Sequence, residues 1–244
     1  MNSAGSLGFA PDPRNGIDMG SFGAFITNPI SLRSRLPAAQ PAVIEFPGGF
    51  LLHSGLPNDG LSSVIKKNGA RWNRADMPII VNLMADRPEE TQQMVRSLEN
   101  IENVMAVELG FAPLLSDDII LLNLEMCVGE LPLIFSLPAE QVLSLGPKLI
   151  QGGAAAISIS SPRGALPLTS TSSPEKRGGL VTGRLYGQSL FPRSLDLVRS
   201  AAMIGLPIIG AGGVWTEQDA ADMLSVGAMA VETDAQLWVP KEAI

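Results

Sequence analysis

The segment whose residues most clearly suggest a binding site is a glycine-rich turn at residues 207–220, which read PIIGAGGVWTEQDA. An apolar run precedes the turn, and Thr216 follows it at a position suited to capping a helix. Backbone N–H groups at a helix N-terminus bind anions, so Gly212 and Gly213 are candidate phosphate-binding residues. The same glycines also suit a tight strand-to-helix turn that needs no ligand. The pattern leaves both interpretations open.

Cysteine and histidine, two residue types with reactive side chains, occur only once each in the chain. Cys127 lies within the predicted helical segment DDIILLNLEMCVGE, which indicates a buried and unreactive thiol. His53 lies between Leu52 and Ser54, and we interpret it as a packed or surface side chain rather than a catalytic one. A single cysteine excludes an internal disulfide and any Cys-rich metal site, and we predict no metal centre.

The overall charge argues against polyanionic partners. The chain has 17 Lys and Arg against 24 Asp and Glu, which gives a formal net charge of −7. Nucleic-acid binding requires clustered basic residues and a membrane surface requires a basic amphipathic stripe, and the sequence shows neither. It also shows no apolar run of about 18 residues and no signal-peptide pattern. We therefore predict a cytoplasmic protein that binds neither nucleic acid nor membrane.

Eight short apolar segments alternate with helix-period segments, as parallel βα units require. Several are continuously hydrophobic, which is typical of strands covered on both faces. The predicted strands are residues 3–9, 23–28, 78–84, 104–110, 132–138, 155–161, 207–213 and 228–234. Eight such units favour an α/β fold of the (β/α)8 TIM-barrel type, with residues 1–244 in one domain. An open, doubly wound sheet is the alternative fold.

Two predicted helix caps and three irregular features complete this outline. Asp86 is predicted to cap a helix at 87–101, and Thr216 is predicted to cap the helix after the glycine turn.

A short hairpin is predicted at 42–56, after strand two. Residues 161–182 are rich in Ser, Thr, Pro and Gly, and so long a loop is usually a lid, a binding loop or disordered. Strand eight is followed by too few residues for a full helix, so we predict a truncated C-terminus.

The order of these segments resembles the dihydroorotate dehydrogenase family. The segments NSAGSLG, GAFITN, FPGGFLLHSGLPNDG, VMAVELG, GGLVTG and PIIGAGGVWTEQDA are similar, in this order, to motifs of that family. The resemblance implies an FMN-dependent oxidoreductase of pyrimidine biosynthesis with a TIM-barrel fold. It implies that Gly5, Gly183, Gly212 and Gly213 contribute to FMN binding and that Asn58 contacts the substrate. Asn58 stands in an Asn-Asp-Gly sequence that suits a turn equally well.

Several positions at which the family places reactive groups carry other residues. The proton-accepting Cys or Ser after strand four has no counterpart before Pro113 in ELGFAPLL, and only Ser116 lies nearby. The flavin-contacting lysines at the ends of strands two and five correspond to Asn28 and Ser136. Three asparagines that hold the substrate in the family correspond to Leu52, Gly110 and Ser160. We assign no catalytic residue.

The end of strand eight departs most sharply from the family, because Asp234 and Ala235 replace a Gly-Thr pair that faces the phosphate. Two unit charges about 4 Å apart repel by about 4 kcal/mol at an effective dielectric constant of about 20, equivalent to roughly three decades of affinity. Asp234 therefore opposes FMN unless it turns away or pairs with a cation such as Arg184. Arg163 and Arg184 follow predicted strand six and are either barrel-mouth residues or solvated surface arginines.

Three functions follow from these observations. The first is a dihydroorotate-dehydrogenase-like protein that has lost catalysis and serves in binding or as a scaffold. The second is an active, FMN-dependent dehydrogenase of dihydroorotate or a similar small acid. The third is a barrel that binds another phosphorylated ligand through the Gly212 turn. A small molecule is the expected partner, and the family resemblance implies a homo-oligomer.

Overall fold

The computed structural model describes residues 1–167 and 179–238, and within them strands alternate with helices. The strands are β1 (Phe25–Ile26), β2 (Ala42–Phe46), β3 (Gly49–His53), β4 (Ile79–Met84), β5 (Val104–Gly110), β6 (Leu133–Leu137), β7 (Ala156–Ile159), β8 (Arg163–Pro167), β9 (Leu180–Tyr186), β10 (Ile208–Gly210) and β11 (Ala230–Val231). The α-helices are α1 (Leu61–Asn73), α2 (Pro88–Leu98), α3 (Asp117–Cys127), α4 (Ala139–Gln151), α5 (Phe191–Met203) and α6 (Glu217–Ser225).

Seven of the described strands form one parallel sheet. Their order, β1-β4-β5-β6-β7-β10-β11, follows the chain without reversal. An open doubly wound sheet reverses its strand order at a switch point, whereas a barrel winds in one direction. The sheet is therefore that of a TIM-like barrel, as the sequence predicts, and the open alternative is wrong.

The ring closes through the first three residues rather than through a full strand. Asn2 forms a parallel bridge with Thr233, and the Ser3 N–H donates to the Thr233 carbonyl oxygen at 2.8 Å. On its other side, the Asn2 side chain takes the place of a backbone peptide. Its Nδ2 donates to the Ile26 carbonyl oxygen at 2.7 Å, and its Oδ1 accepts from the Ile26 N–H at 3.0 Å.

The predicted strand at 3–9 is consequently wrong beyond its first residue. Gly5 and Gly8 adopt φ angles of +95° and +89°, which an extended strand does not permit. The other seven predicted barrel strands are confirmed. β5 has the predicted bounds, whereas β10 and β11 end earlier than predicted, at Gly210 and Val231.

Of the two predicted helix caps, the one at α6 is confirmed. Asp219 donates its N–H to the Thr216 Oγ1 at 3.1 Å, and the Thr216 N–H donates to the Asp219 Oδ2 at 2.8 Å, which completes a capping box. The predicted cap by Asp86 is wrong, because α2 begins at Pro88 without a side-chain cap. The Asp86 Oδ1 accepts instead from the Ala112 N–H at 2.9 Å, which joins the turn after β4 to the loop after β5.

The barrel strands bury side chains on both faces. Outward-facing residues such as Val81 and Val107 pack in the main core between sheet and helices. Inside the barrel, strands contribute one apolar side chain each to a layer that contains Ile26, Ile80, Ala106, Ile134, Ala156 and Ile209. Because side chains alternate with a period of two, the residue two positions beyond each of these also faces the interior.

A second, antiparallel sheet has the strand order β2-β3-β9-β8. The predicted hairpin at 42–56 is confirmed as β2 and β3, and β3 also pairs with β9. The prediction of a loop at 161–182 is wrong at both ends, where β8 and β9 pair in register; residues 168–178 lie outside the described residues. Phe50, Tyr186 and Trp238 pack against one another with ring centroids 5.3 Å to 5.9 Å apart.

After β11 the described chain forms a single 3-10 turn at Ala235–Trp238. The predicted truncation of the C-terminus concerns residues 239–244 as well, and these lie outside the described residues. Among the described helices, none combines the length and the apolar character that crossing a membrane requires.

Candidate functional site

Strand alternation places a polar layer above the apolar layer inside the barrel. β4, β5 and β7 contribute Asn82, Glu108 and Ser158, and Glu232 follows β11. All four residues are at most 4% exposed. In a barrel the carboxyl ends of the strands meet at one end, where ligands of such folds bind. This layer therefore forms the floor of any binding site at that end.

Glu108 is held by two donors within the layer. The Asn82 Nδ2 donates to its Oε2 at 2.8 Å, and the Ser158 Oγ donates to its Oε1 at 2.6 Å. Burial raises the pKa of Glu108, while the two hydrogen bonds and the charge of Arg184 partly offset that rise. These contacts stabilise the ionised form of Glu108.

Glu232 is the second carboxyl group of the floor. Burial, followed by the charge of Glu108, raises the pKa of Glu232 well above its ordinary value. Because two neighbouring buried carboxyls do not readily ionise together, Glu108 is the first of the two to ionise and Glu232 holds its proton to higher pH. The Glu232 Oε1 has no hydrogen-bond partner among the described residues. Within that part of the chain, no three His, Cys, Asp or Glu side chains are grouped to hold a metal ion.

The polar layer opens into a cavity of about 300 Å³ at the carboxyl end of the barrel. One wall of this cavity is the loop after β5, whose lining residues are Gly110, Phe111, Ala112, Pro113 and Leu114. None of these five residues has a side chain that exchanges protons. Ser116, the nearest hydroxyl along this loop, is instead the residue before α3 and is not among the residues that line the cavity.

The glycine turn after β10 borders the same cavity. Gly212 lines it with a φ of +94°, and Gly213 has a φ of +78°. A side chain at Gly213 would collide with the backbone of Phe191 at the start of α5. Packing therefore requires a glycine at position 213 whether or not a ligand binds. At Gly212 a Cβ would lie 2.8 Å from the Ser194 Oγ, a side-chain atom, so the backbone does not block this position.

Asp234 also lines the cavity, at 4% exposure. It accepts a hydrogen bond from the Ala235 N–H, and burial raises the pKa of its carboxyl group. It forms no ion pair with Arg184 within the described residues. The pairing with a cation that would reconcile Asp234 with a nearby phosphate is therefore not formed within the described residues.

Three arginines surround the opening of the cavity. Arg163 and Arg184 line it from directly opposite positions of the β8–β9 pairing. Arg35 joins them around an adjoining cavity of about 90 Å³. The ion pairs of the described residues include none of these three. Arg193, which also lines the main cavity, pairs with Glu140 at 2.6 Å.

Three other predicted binding residues do not line the main cavity. Gly183 lies within β9, where a Cβ would collide with the backbone of β3. Gly5 lies in the turn that follows the ring closure. The Asn58 Oδ1 accepts from two backbone N–H groups, at 3.2 Å and 3.0 Å. Their roles in FMN or substrate binding stay predictions, since packing and turn geometry already account for these residue types.

The structure also shows what surrounds three further residues that were considered from the sequence, namely Cys127, Asn28 and His53. Cys127 is buried in α3, and burial raises the pKa of its thiol to about 11, in agreement with an unreactive side chain. The Asn28 Oδ1 accepts from the Gly8 N–H at 3.0 Å. His53 ends β3, half-buried and away from the main cavity.

Sequence reasoning missed Glu108, Glu232 and Arg35. A signal for the two carboxyl groups exists, because each ends an Ala-Val-Glu segment in which the alanine faces the barrel interior. Glutamate is almost never fully buried without a partner. The alternation therefore identifies both glutamates as unusual, buried carboxyl groups. Arg35 carries no comparable signal because it lies in an irregular segment between β1 and β2.

Proteins with similar sequences agree with the motif resemblance. A family model described as dihydroorotate dehydrogenase matches residues 1–111. The catalytic subunit of dihydroorotate dehydrogenase B (NAD(+)) from Pelobacter propionicus is 26% identical over 258 residues, which cover 100% of this chain and 84% of that protein. The protein of the same name from Bacillus caldolyticus is 25% identical and is matched over 95% of this chain and 78% of its own length.

A solved structure shares the fold of this chain. The crystal structure of DHODH from Eimeria tenella in complex with ferulenol has a TM-score of 0.73, with 97% of this chain and 75% of that chain covered. Its sequence identity of 17% supports a common fold alone. Descent is supported by the family model and by relatives that match along the whole chain. The chain is similar in sequence to dihydroorotate dehydrogenases along its whole length, and it shares their fold.

Proposed function

We propose that this chain is a small-molecule-binding member of the family that does not oxidise dihydroorotate. The single observation that carries the proposal is the wall formed by the loop after β5. Where the family resemblance places a proton-accepting Cys or Ser, this wall offers only glycine, proline and apolar side chains. Proton removal from carbon requires a base within hydrogen-bond reach of the substrate.

The carboxyl groups of the floor do not replace that base. Glu108 already accepts from Asn82 and Ser158. Glu232 holds its own proton, because burial and the neighbouring Glu108 raise its pKa. A protonated carboxyl group donates a hydrogen bond and does not remove a proton from substrate carbon. The floor therefore supports binding rather than proton abstraction.

The residues of the cavity do not fit FMN in the position that the resemblance implies. Its phosphate would lie at the Gly212 turn, beside the buried carboxyl group of Asp234. A reduced flavin gains negative charge that a nearby cation offsets, and the described lining offers no lysine for this role. Its cations are Arg193, which pairs with Glu140, and the arginines of the β8–β9 pairing at the opening, while the floor holds Glu108.

Flavin content tests the proposal directly. We expect purified protein to be colourless and to leave the fluorescence of added FMN unchanged up to millimolar concentration. Protein that carries stoichiometric flavin, and whose absorbance is bleached by dihydroorotate under anaerobic conditions, would contradict the proposal. That result would establish the active dehydrogenase instead.

The Gly212 turn supports a second candidate, a barrel that holds some other phosphorylated ligand. A thermal-shift screen of phosphorylated metabolites would identify such a ligand, and Gly212→Ala should then abolish the shift. Gly205→Ala is the matched control, since Gly205 has a similar φ of +78° and no neighbouring atoms where a Cβ would lie. Equal loss of the shift in both variants would mean that backbone strain, and not the turn, is responsible.

A further inference from the structure

We infer that Arg163 and Arg184, with Arg35, bind the anionic group of the cavity ligand, while the carboxyl floor binds an N–H donor at the ligand's other end. The ligand is then a small molecule with a carboxylate or phosphate at one end and an amine at the other. This inference rests on the proposed binding function and adds the chemical class of the ligand.

The first observation is that the arginine cluster destabilises the fold of the ligand-free protein. Like charges at directly opposite positions of an antiparallel pair destabilise a sheet, and Arg163 and Arg184 are such a pair. Burial, then the charge of Arg184, lowers the pKa of Arg163, and Tyr186 and Asp86 partly offset that fall. Asp86 lines the adjoining cavity with the arginines, but no carboxylate within the described residues forms an ion pair with any of the three. A bound anion would supply further counter-charge to a cluster that carries three cations.

The second observation is that the backbone holds this cluster in place. Arg35 exchanges two backbone hydrogen bonds with Asn58, at 2.7 Å and 3.0 Å, and its Nε donates to the Gly55 carbonyl oxygen at 2.6 Å. Leu56 and Leu114 are the only non-glycine residues of the described chain with positive φ, at 53° and 66°. Each lines one of the two cavities, and strain of this kind concentrates at ligand sites.

The third observation is a carboxyl oxygen in the floor that has no hydrogen-bond partner in the described part of the chain. The Glu232 Oε1 is buried and has no partner among the described residues, although its residue lines the cavity. A buried acceptor left unpaired is costly, so a ligand N–H that reached it would be favoured. The neighbouring Glu108 anion favours a positively charged donor, such as an ammonium group.

Asp234 decides which end of the cavity takes the anion. Its buried carboxyl group lies with Gly212 in the lining, so an anion there would meet a like charge. The arginine pair lies on the β8–β9 strands and presents two cations. The anionic end is therefore directed to the arginines, and the amine end to the floor.

Calorimetric titration with aminohexanoate, hexanoate and hexylamine tests both ends. We expect aminohexanoate to bind more tightly than either single-headed compound, because only it satisfies both charged regions. Arg163→Gln and Arg184→Gln should each weaken aminohexanoate by about tenfold or more, as expected for a lost charge-assisted contact, and leave hexylamine unchanged. Glu108→Gln, which removes the charge of the floor, should instead weaken aminohexanoate and hexylamine and should not weaken hexanoate. Arg74→Gln, at the exposed C-terminal end of α1, is the control and should change neither.

A measurement without ligand gives an independent readout. Arg163→Gln should raise the urea midpoint of the free protein, because it removes one of two opposed cations, whereas Arg74→Gln should not. If all variants bind aminohexanoate equally, or if the three probes bind alike or not at all, the inference is wrong. The proposed function would still stand in that case unless the protein also bound FMN and oxidised dihydroorotate.

Discussion

At the scale of single residues, the buried carboxyl groups explain why the cavity differs from the site that the motifs imply. Glu108 is stabilised as an anion by two donors, and Glu232 keeps its proton beside it. Asp234 adds a third acidic group next to the glycine turn. Each group was placed in the interior by strand alternation, and each now restricts which charges the cavity accepts.

Glu232 makes stability depend on pH in a defined direction. Because its pKa is raised in the folded state, the native protein binds a proton that the unfolded chain has released, and stability falls as the pH rises above about 4.5. The loss amounts to about 1.4 kcal/mol per pH unit while that difference persists. Glu232→Gln should therefore be more stable than the parent at pH 8 and gain much less at pH 4.5. Urea unfolding at both pH values measures this.

The exposed Glu102 supplies the control for this prediction. Glu102→Gln should leave the pH dependence of the urea midpoint unchanged, since that side chain is solvated in both states. Parallel pH profiles for the parent protein and Glu232→Gln would show that Glu232 ionises freely in the fold. The conclusion that Glu232 holds its proton beside Glu108 would then be wrong.

Asp234 is predicted to exclude anions from the Gly212 turn. Asp234→Asn should tighten the binding of FMN or inorganic phosphate, by up to about three decades if the carboxylate is fully ionised and about 4 Å from the anion. In the parent protein, lowering the pH through the raised pKa of Asp234 should have the same effect, because protonation removes its charge. Fluorescence titration with FMN across pH measures both, and identical affinities for the two proteins would refute the exclusion.

At the scale of elements, the barrel is completed by an asparagine side chain rather than by a strand. The Asn2 amide bonds to both backbone groups of Ile26, while its own backbone pairs with Thr233. The antiparallel sheet of β2, β3, β8 and β9 has a separate task, because it carries Arg163 and Arg184 to the opening. Closure and ligand contact are thus assigned to different elements.

Replacing Asn2 tests the closure. Asn2→Ala would leave a buried donor and a buried acceptor of Ile26 unsatisfied, and we expect a loss of about 2–5 kcal/mol in the free energy of unfolding. Asn2→Asp keeps the acceptor but places a buried carboxylate oxygen against the Ile26 carbonyl oxygen, so near neutral pH its loss should be at least as large as that of Asn2→Ala. The exposed Asn100 is the control, and Asn100→Ala should cost little. A loss for Asn2→Ala no larger than that of the control would show that the ring does not depend on this amide.

At the scale of the whole molecule, the two sheets meet where β9 leads toward α5. Phe50 and Tyr186 of the antiparallel sheet pack with Trp238, whose Nε1 donates to the Ser6 carbonyl oxygen at 2.8 Å. Trp72 lies in α1 against the barrel core, fully buried. Trp72 and Trp238, two of the three tryptophans, therefore report on different parts of the chain once Trp215 is replaced.

This placement tests the prediction that residues 1–244 form one domain. A variant that retains only Trp72 and a variant that retains only Trp238 should unfold at the same urea concentration, since one cooperative unit has one transition. Tryptophan fluorescence follows each region separately, and circular dichroism of the same samples follows the helices. Two separated midpoints would indicate two folding units and would contradict the single-domain prediction.

The sequence by itself determined most of the framework. Apolar runs of strand length, separated by helix-period segments, were sufficient for seven of the eight barrel strands and for the 42–56 hairpin, because burial on both faces requires continuous hydrophobicity. The capping box at Thr216 was also readable, since its donors and acceptors lie within four residues. The ordered motifs were sufficient for the resemblance to dihydroorotate dehydrogenases, which the sequence comparisons support, and the missing base after strand four was visible as a change of residue type.

Only the tertiary structure decided how distant residues combine. The prediction of a strand at 3–9 was wrong because the Asn2 side chain bonds to Ile26, which is distant along the chain. The carboxyl groups of Glu108 and Glu232 are neighbours because β5 and the residue after β11 face the same barrel interior. Arg35, Arg163 and Arg184 come from three separate segments that chain folding brings to one opening. Contacts of this kind depend on register and on closure of the ring. No local pattern encodes them, because each residue's neighbours along the chain are not its neighbours in space.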